Sequence, residues 1–126
     1  MKRMIPLLLS VLLLTGCGGN SADATYQQID QEAAKEMMDT QEVIILDVRE
    51  QDEYDSGHIP GAVLLPVGTI DEGTAAAVIP EKDSTVLVYC RSGNRSKAAS
   101  SALAELGYTN IYEFGGINTW PYDTEP

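Results

Sequence analysis

From residue 25 onward the chain alternates between short apolar runs and polar or alanine-rich stretches of helical spacing. Val43-Ile44-Ile45-Leu46 and Thr85-Val86-Leu87-Val88-Tyr89 are continuous and largely β-branched, the pattern of strands buried on both faces. Tyr26–Ile29 predicts a short edge strand, Ala62–Leu65 a brief strand closed by Pro66, and Ile111–Phe114 a last strand. Between them, Gln31–Met38 predicts a helix with Asp30 as N-cap and with Ala33, Ala34, Met37 and Met38 facing inward. Glu50–Asp55 predicts a short helix stopped at Gly57, and Thr74–Ile79 one or two helical turns ended by Pro80. A longer helix follows Cys90–Ser96 and runs to about Leu106, with Gly107 as its natural C′ residue. Gly116–Trp120 adds a final helical turn. Strands alternating with helices imply an α/β domain: a central, mostly parallel five-stranded sheet with helices on both faces. Ligands of such sheets bind at the carboxyl ends of the strands, where Cys90 falls.

The first residues follow a different pattern. Lys2 and Arg3 precede an apolar stretch, Met4–Leu14, that is about half the roughly 20 residues needed to span a bilayer. A cleaved export signal fits such a segment better than a transmembrane helix. It ends in Leu14-Thr15-Gly16-Cys17, which resembles the lipobox of bacterial lipoproteins. That resemblance implies that residues 1–16 are removed and that Cys17 is lipidated. Residues 17–24 then form a flexible tether, and residues 25–126 the folded domain. Two or more acyl chains suffice for stable anchoring. The expected location is therefore extracytoplasmic, on the face of a bacterial membrane, with a tethered monomer as the simplest state.

Charge narrows the partners. The chain of 126 residues carries 19 acidic and 8 basic side chains, a formal net charge of −11. Losing Lys2 and Arg3 with the signal leaves six basic residues against the same 19, a net charge of −13. Such a chain does not present the clustered Lys and Arg that phosphate backbones require, which argues against nucleic-acid partners. Two cysteines and one histidine are too few soft ligands for a structural zinc site. With Cys17 consumed by lipid, Cys90 is the remaining thiol and has no disulfide partner in the chain.

Cys90-Arg91-Ser92-Gly93-Asn94-Arg95-Ser96 links a buried strand to a helix N-terminus. Successive N–H groups of such a loop converge on one point, aided by the positive end of the helix dipole, and form an anion cradle. A cysteine at its start is expected to have a depressed pKa and to act as a nucleophile. Arg91, Arg95 and Lys97 lie in or beside the loop, and Arg49 ends a neighbouring strand. Four of the six basic residues of the exported chain thus gather around one thiol, and no acid occurs between Cys90 and Ala104.

Three segments then resemble the rhodanese (thiosulfate sulfurtransferase) domain. They are Ile45-Leu46-Asp47-Val48-Arg49-Glu50 continuing through Glu53-Tyr54 to Gly57-His58-Ile59-Pro60-Gly61-Ala62, the loop pattern C-x-x-G-x-R-S, and Gly115-Gly116-Ile117-Asn118-Thr119-Trp120. The loop places four residues between Cys90 and Arg95, shorter than the C-x5-R ring that cysteine phosphatases and related arsenate reductases use. The resemblance implies a rhodanese-like fold and ping-pong transfer of sulfane sulfur, with no metal or organic cofactor. Cys90 would take sulfur from a small anionic donor such as thiosulfate, form a persulfide, and pass it to cyanide or a thiol. Arg91, Ser92, Gly93, Asn94, Arg95 and Ser96 would bind the donor and the persulfide, with Arg49 as a further donor-facing cation. A persulfide carrier or redox-sensing binding module for an extracytoplasmic partner is the alternative that the same free thiol allows. Asp47 is expected to support the site by pairing with Arg49. His58 is expected to hydrogen-bond the backbone of its turn rather than act as a base, because a thiolate nucleophile needs none.

Overall fold

The apolar run that ends in Cys90 becomes the centre of the sheet. In the computed structural model, which describes residues 25–126, the elements are β1 (Gln27–Gln28), α1 (Gln31–Thr40), β2 (Ile44–Asp47), α2 (Gln51–Ser56), β3 (Val63–Leu64), α3 (Glu72–Val78), β4 (Val86–Cys90), α4 (Asn94–Glu105) and β5 (Ile111–Gly116). Short 3₁₀ turns follow β3 at Val67–Thr69 and β5 at Ile117–Thr119. The expected signal (residues 1–16), and Cys17 with the whole of the expected tether (residues 17–24), lie outside the described residues.

The five strands form one parallel sheet in the order β1-β5-β4-β2-β3. Every residue of β4 is buried, as its unbroken apolar sequence requires. Alternation along β4 divides the core in two. Val86, Val88 and Cys90 face a cluster with Ala75 of α3, Ile79 just past its end, and Ala99 and Leu103 of α4. Leu87 and Tyr89 face the other side, with Ala34 of α1, Ile59, Ala62 and Phe114; Met37, Met38 and Trp120 pack around its margin. Cys90 therefore points to the α4 side because it is an even step from Val86 and Val88.

Local signals set the ends. Asp30 caps α1 by accepting the Ala33 N–H at 2.8 Å. The expected strand at Ala62–Leu65 shortens to Val63–Leu64, which pair with Leu46 and Asp47 before Pro66 ends the ladder. Gly107, with φ of +103°, follows α4 as a C′ residue.

One irregularity bears on the site. Val88 pairs with Glu113 and Cys90 with Gly116, so β5 carries one more residue than β4 across this interval. That is a β-bulge, and Gly115 meets its geometry with φ of +98°.

Candidate active site

β4 delivers Cys90 to the carboxyl edge of the sheet, where its residue is 1% exposed. The chain then turns through Arg91, Ser92 and Gly93 into α4. Gly93 sits at the helix N-cap with φ of +107°, a left-handed conformation that side chains rarely adopt. Its N–H donates to Cys90 Sγ at 3.0 Å, and Ser96 Oγ lies 3.4 Å from the same sulfur. Burial is the largest influence on the thiol and opposes ionisation. The Ser96 hydroxyl and the N–H groups of Ser96, Gly93 and Ser92 together outweigh it and hold the Cys90 pKa below the ordinary thiol value.

The loop rests on β5. A methyl group added at Gly116 would overlap the Arg91 carbonyl, and the Asn118 N–H donates to that carbonyl at 3.1 Å. The Gly-Gly pair of the third motif therefore has two separate tasks: Gly115 makes the bulge and Gly116 lets the loop lie against the strand.

Arg95 does not face an empty cradle. Its guanidinium makes a two-pronged pair with Glu53 of α2 at 2.8 and 2.9 Å. That bond, helped by the Glu50 N–H, pushes the Glu53 pKa down to about 2. Arg49, 5% exposed, is held by Asp47 through Nε and Nη2 and donates from Nη2 to the Gly57 carbonyl at 2.7 Å. The structure thus assigns Arg49 to Asp47 and withdraws it from the expected donor-facing role, because a buried guanidinium is stable only when its donors are matched. Asp47, fully buried, also accepts the Tyr89 hydroxyl at 2.6 Å and the Arg49 N–H at 3.0 Å. Tyr89 in turn accepts the Ile59 N–H. This network ties the Gly57–Ile59 turn to β2 and β4. His58 lies in that turn, with Nδ1 2.9 Å from the Tyr54 carbonyl and its ring stacked on Tyr54. Its Nε2 is 3.6 Å from Glu125.

Arg91, Ser92 and Asn94 are exposed at the mouth. Among the described residues Arg91 and Lys97 enter no ion pair, so they are the uncompensated cations on this side of α4. Two surface hollows occur elsewhere, one at the amino ends of β2 and β4 and one beside Trp120, and neither is lined by the Cys90 loop. The thiol sits in a tight backbone cradle.

Sequence reasoning missed Glu113. This residue on β5 is 2% exposed; its Oε2 accepts the Ser96 hydroxyl at 2.5 Å and the Gly115 N–H at 2.9 Å, and its Oε1 accepts from Gln28 at 3.1 Å. The available signal was an acid interrupting an apolar strand two residues before the Gly-Gly motif. With Glu53 it also corrects the picture of a loop remote from acids: both carboxylates arrive through the fold.

The family model described as "Rhodanese-like domain" matches residues 30–121. The thiosulfate sulfurtransferase GlpE of Coxiella burnetii is 35% identical over 96 residues, covering 75% of this chain and 87% of that protein. The thiosulfate sulfurtransferase PspE of Escherichia coli is 40% identical over 72 residues, covering 57% of this chain and 68% of that protein. Among solved structures, one titled "rhodanese with anions from E. coli" superposes with a TM-score of 0.62 at 31% identity, covering 67% of this chain and 98% of that one. Motifs, parallel five-stranded architecture and relatives agree, and the chain belongs to the rhodanese-like domain family.

Proposed function

We propose that this protein transfers sulfane sulfur from a small anionic donor such as thiosulfate to a thiol or cyanide, through a persulfide on Cys90. The observation that carries the reading is the cradle itself: a thiol with lowered pKa, bonded by the Gly93 N–H at 3.0 Å, at the head of a helix. The relatives named thiosulfate sulfurtransferase support the reaction class.

Cys90 Sγ, as thiolate, attacks the outer sulfur of thiosulfate. The new S–S bond forms as the sulfur–sulfur bond of the donor breaks, and sulfite leaves with the electron pair. The charge now sits on the terminal persulfide sulfur, where the loop N–H groups stabilise it as an oxyanion hole stabilises oxygen. An acceptor nucleophile attacks that sulfur and restores the Cys90 thiolate. Arg91 and Lys97 supply the attraction that brings an anion to an otherwise acidic protein, since the charge of Arg95 is already matched by Glu53. Ser92, Asn94 and Ser96 offer hydrogen-bond donors to the bound oxygens and sulfur.

Cys90→Ser is expected to reduce thiosulfate:cyanide activity to background while circular dichroism and melting temperature stay at wild-type values. Wild-type protein mixed with thiosulfate alone should gain the mass of one sulfur atom. Activity retained in the variant overturns the reading, and a stable persulfide without turnover would make the domain a carrier. The export signal belongs to the same proposal, supported by the sequence of residues 1–17. Labelled palmitate should enter the wild-type chain and not Cys17→Ser.

A further inference from the structure

The sulfur chemistry leaves one buried titratable group unused, and it lies directly behind the nucleophile. Ser96 Oγ stands between Glu113 Oε2, at 2.5 Å, and Cys90 Sγ, at 3.4 Å. A hydroxyl has one proton to give. Four acceptors compete for it here: Glu113 Oε2, Cys90 Sγ, the Gly93 carbonyl at 3.0 Å and the Gly115 carbonyl at 3.4 Å. When Ser96 donates to Glu113, the sulfur keeps its own proton and donates to Oγ. When Ser96 donates to a thiolate, its lone pair faces Glu113 Oε2 at 2.5 Å, and that contact is attractive only if the carboxyl carries a proton.

We propose that Glu113 receives the Cys90 proton by way of Ser96. The Cys90 S–H bond breaks as Ser96 Oγ gains that proton, and the original Ser96 O–H bond breaks as Glu113 Oε2 gains the other. Nothing is oxidised, no proton leaves the site, and the pair carries one negative charge before and after. Glu113 is a positioning residue for the proton, acting through Ser96. The proposal rests on the reading of Cys90 as the nucleophile.

The surroundings favour an internal transfer. Two anions so close in a buried site would repel, whereas a shared charge avoids burying a second one. The imidazole of His58, the one histidine of the chain, is engaged with Tyr54 and faces Glu125. The groups around the pair are largely uncharged or committed. β1 contributes Gln28, and α1 contributes Gln31, which donates to the Phe114 and Gly116 carbonyls. α4 contributes Ser96, with Arg95 held by Glu53 of α2 and Lys97 exposed. The loop contributes the exposed Arg91, and β4 contributes Cys90 itself.

Glu113 also holds the bulge through the Gly115 N–H, so the test must separate proton uptake from shape. Glu113→Gln keeps the size and a carbonyl acceptor but can neither take the proton nor carry charge. The measurement is the rate of Cys90 alkylation by iodoacetamide against pH in the full chain. Wild type should show two steps, the signature of a pair that titrates as a unit. Glu113→Gln and Ser96→Ala should each show one, and in the Gln variant its midpoint should lie at least about one pH unit, tenfold in thiolate, below the upper wild-type step. A single step in wild type overturns the relay, wherever the variant midpoint falls. Infrared difference spectra of wild type provide a reading that needs no variant. A carboxyl band, assigned by glutamate isotope labelling, should change when Cys90 is alkylated; a spectrum in which no glutamate band moves overturns the proposal. No alkylation at any pH would sink the nucleophile reading as well, whereas one-step alkylation sinks the relay alone.

Discussion

Two buried polar clusters occupy neighbouring strand ends, and they are built on opposite terms. At the end of β2, Asp47 receives Arg49 Nε and Nη2, the Arg49 N–H and the Tyr89 hydroxyl, so its lone pairs are filled and the opposite charge lies against it. At the end of β4, a thiol, a hydroxyl and a carboxylate share fewer protons than they have acceptors. The first cluster is closed and holds the chain in place. The second is short of donors on the carboxylate-to-sulfur line, and the proposed reactivity of Cys90 depends on that shortage. Burial alone does not separate scaffold from site; the balance of donors against acceptors does.

The strongest way to break the comparison is to open the closed cluster. Asp47→Ala leaves the Arg49 charge buried and unmatched and should cost about 3–5 kcal/mol in urea unfolding. The rate of Cys90 alkylation in the molecules that remain folded should stay near wild type; a collapse of that rate would merge the two clusters into one. Disturbing the floor of the reactive cluster should do the reverse. In Gly116→Ala the added methyl meets the Arg91 carbonyl, so the loop must move. A displacement of that kind is expected to lower sulfurtransferase kcat/KM by about 100-fold, with a smaller loss of stability. The mildest effect concerns the clamp between the clusters. The Glu53 pKa falls from 4.5 to about 2 on folding, so its bond with Arg95 is at full strength above pH 4.5 and is lost as pH drops toward 2. The pair is partly exposed, and its contribution should be no more than about 1 kcal/mol. Unfolding free energy measured from pH 6 to pH 2 should therefore fall slightly less steeply in Glu53→Gln than in wild type; parallel curves would remove the clamp from the comparison.

The sequence disclosed what is local. The apolar run at 85–89 located the central strand to within one residue, Asp30 announced a helix start, and the Cys90 loop was legible because its donors are contiguous. What escaped arrives from a distance. Glu53 meets Arg95 across 42 positions and Glu113 meets Ser96 across 17, and neither acid stands in a pattern that names its partner. Reading the loop alone thus counted four cations around the thiol, where two are already neutralised by the fold.

The bulge in β5 sets regularity of the sheet against the chemistry at its edge. The step from Val88 to Cys90 is matched by the longer step from Glu113 to Gly116, so the two ends of the strand are out of phase. Deleting one residue there would restore an unbroken ladder. It would also carry the side-chain-free position away from the loop it accommodates and the carboxylate away from the serine. A chain with that deletion would gain order in its sheet and lose its cradle, so the irregular spacing before the Gly-Gly pair is what lets one strand serve both the sheet and the loop.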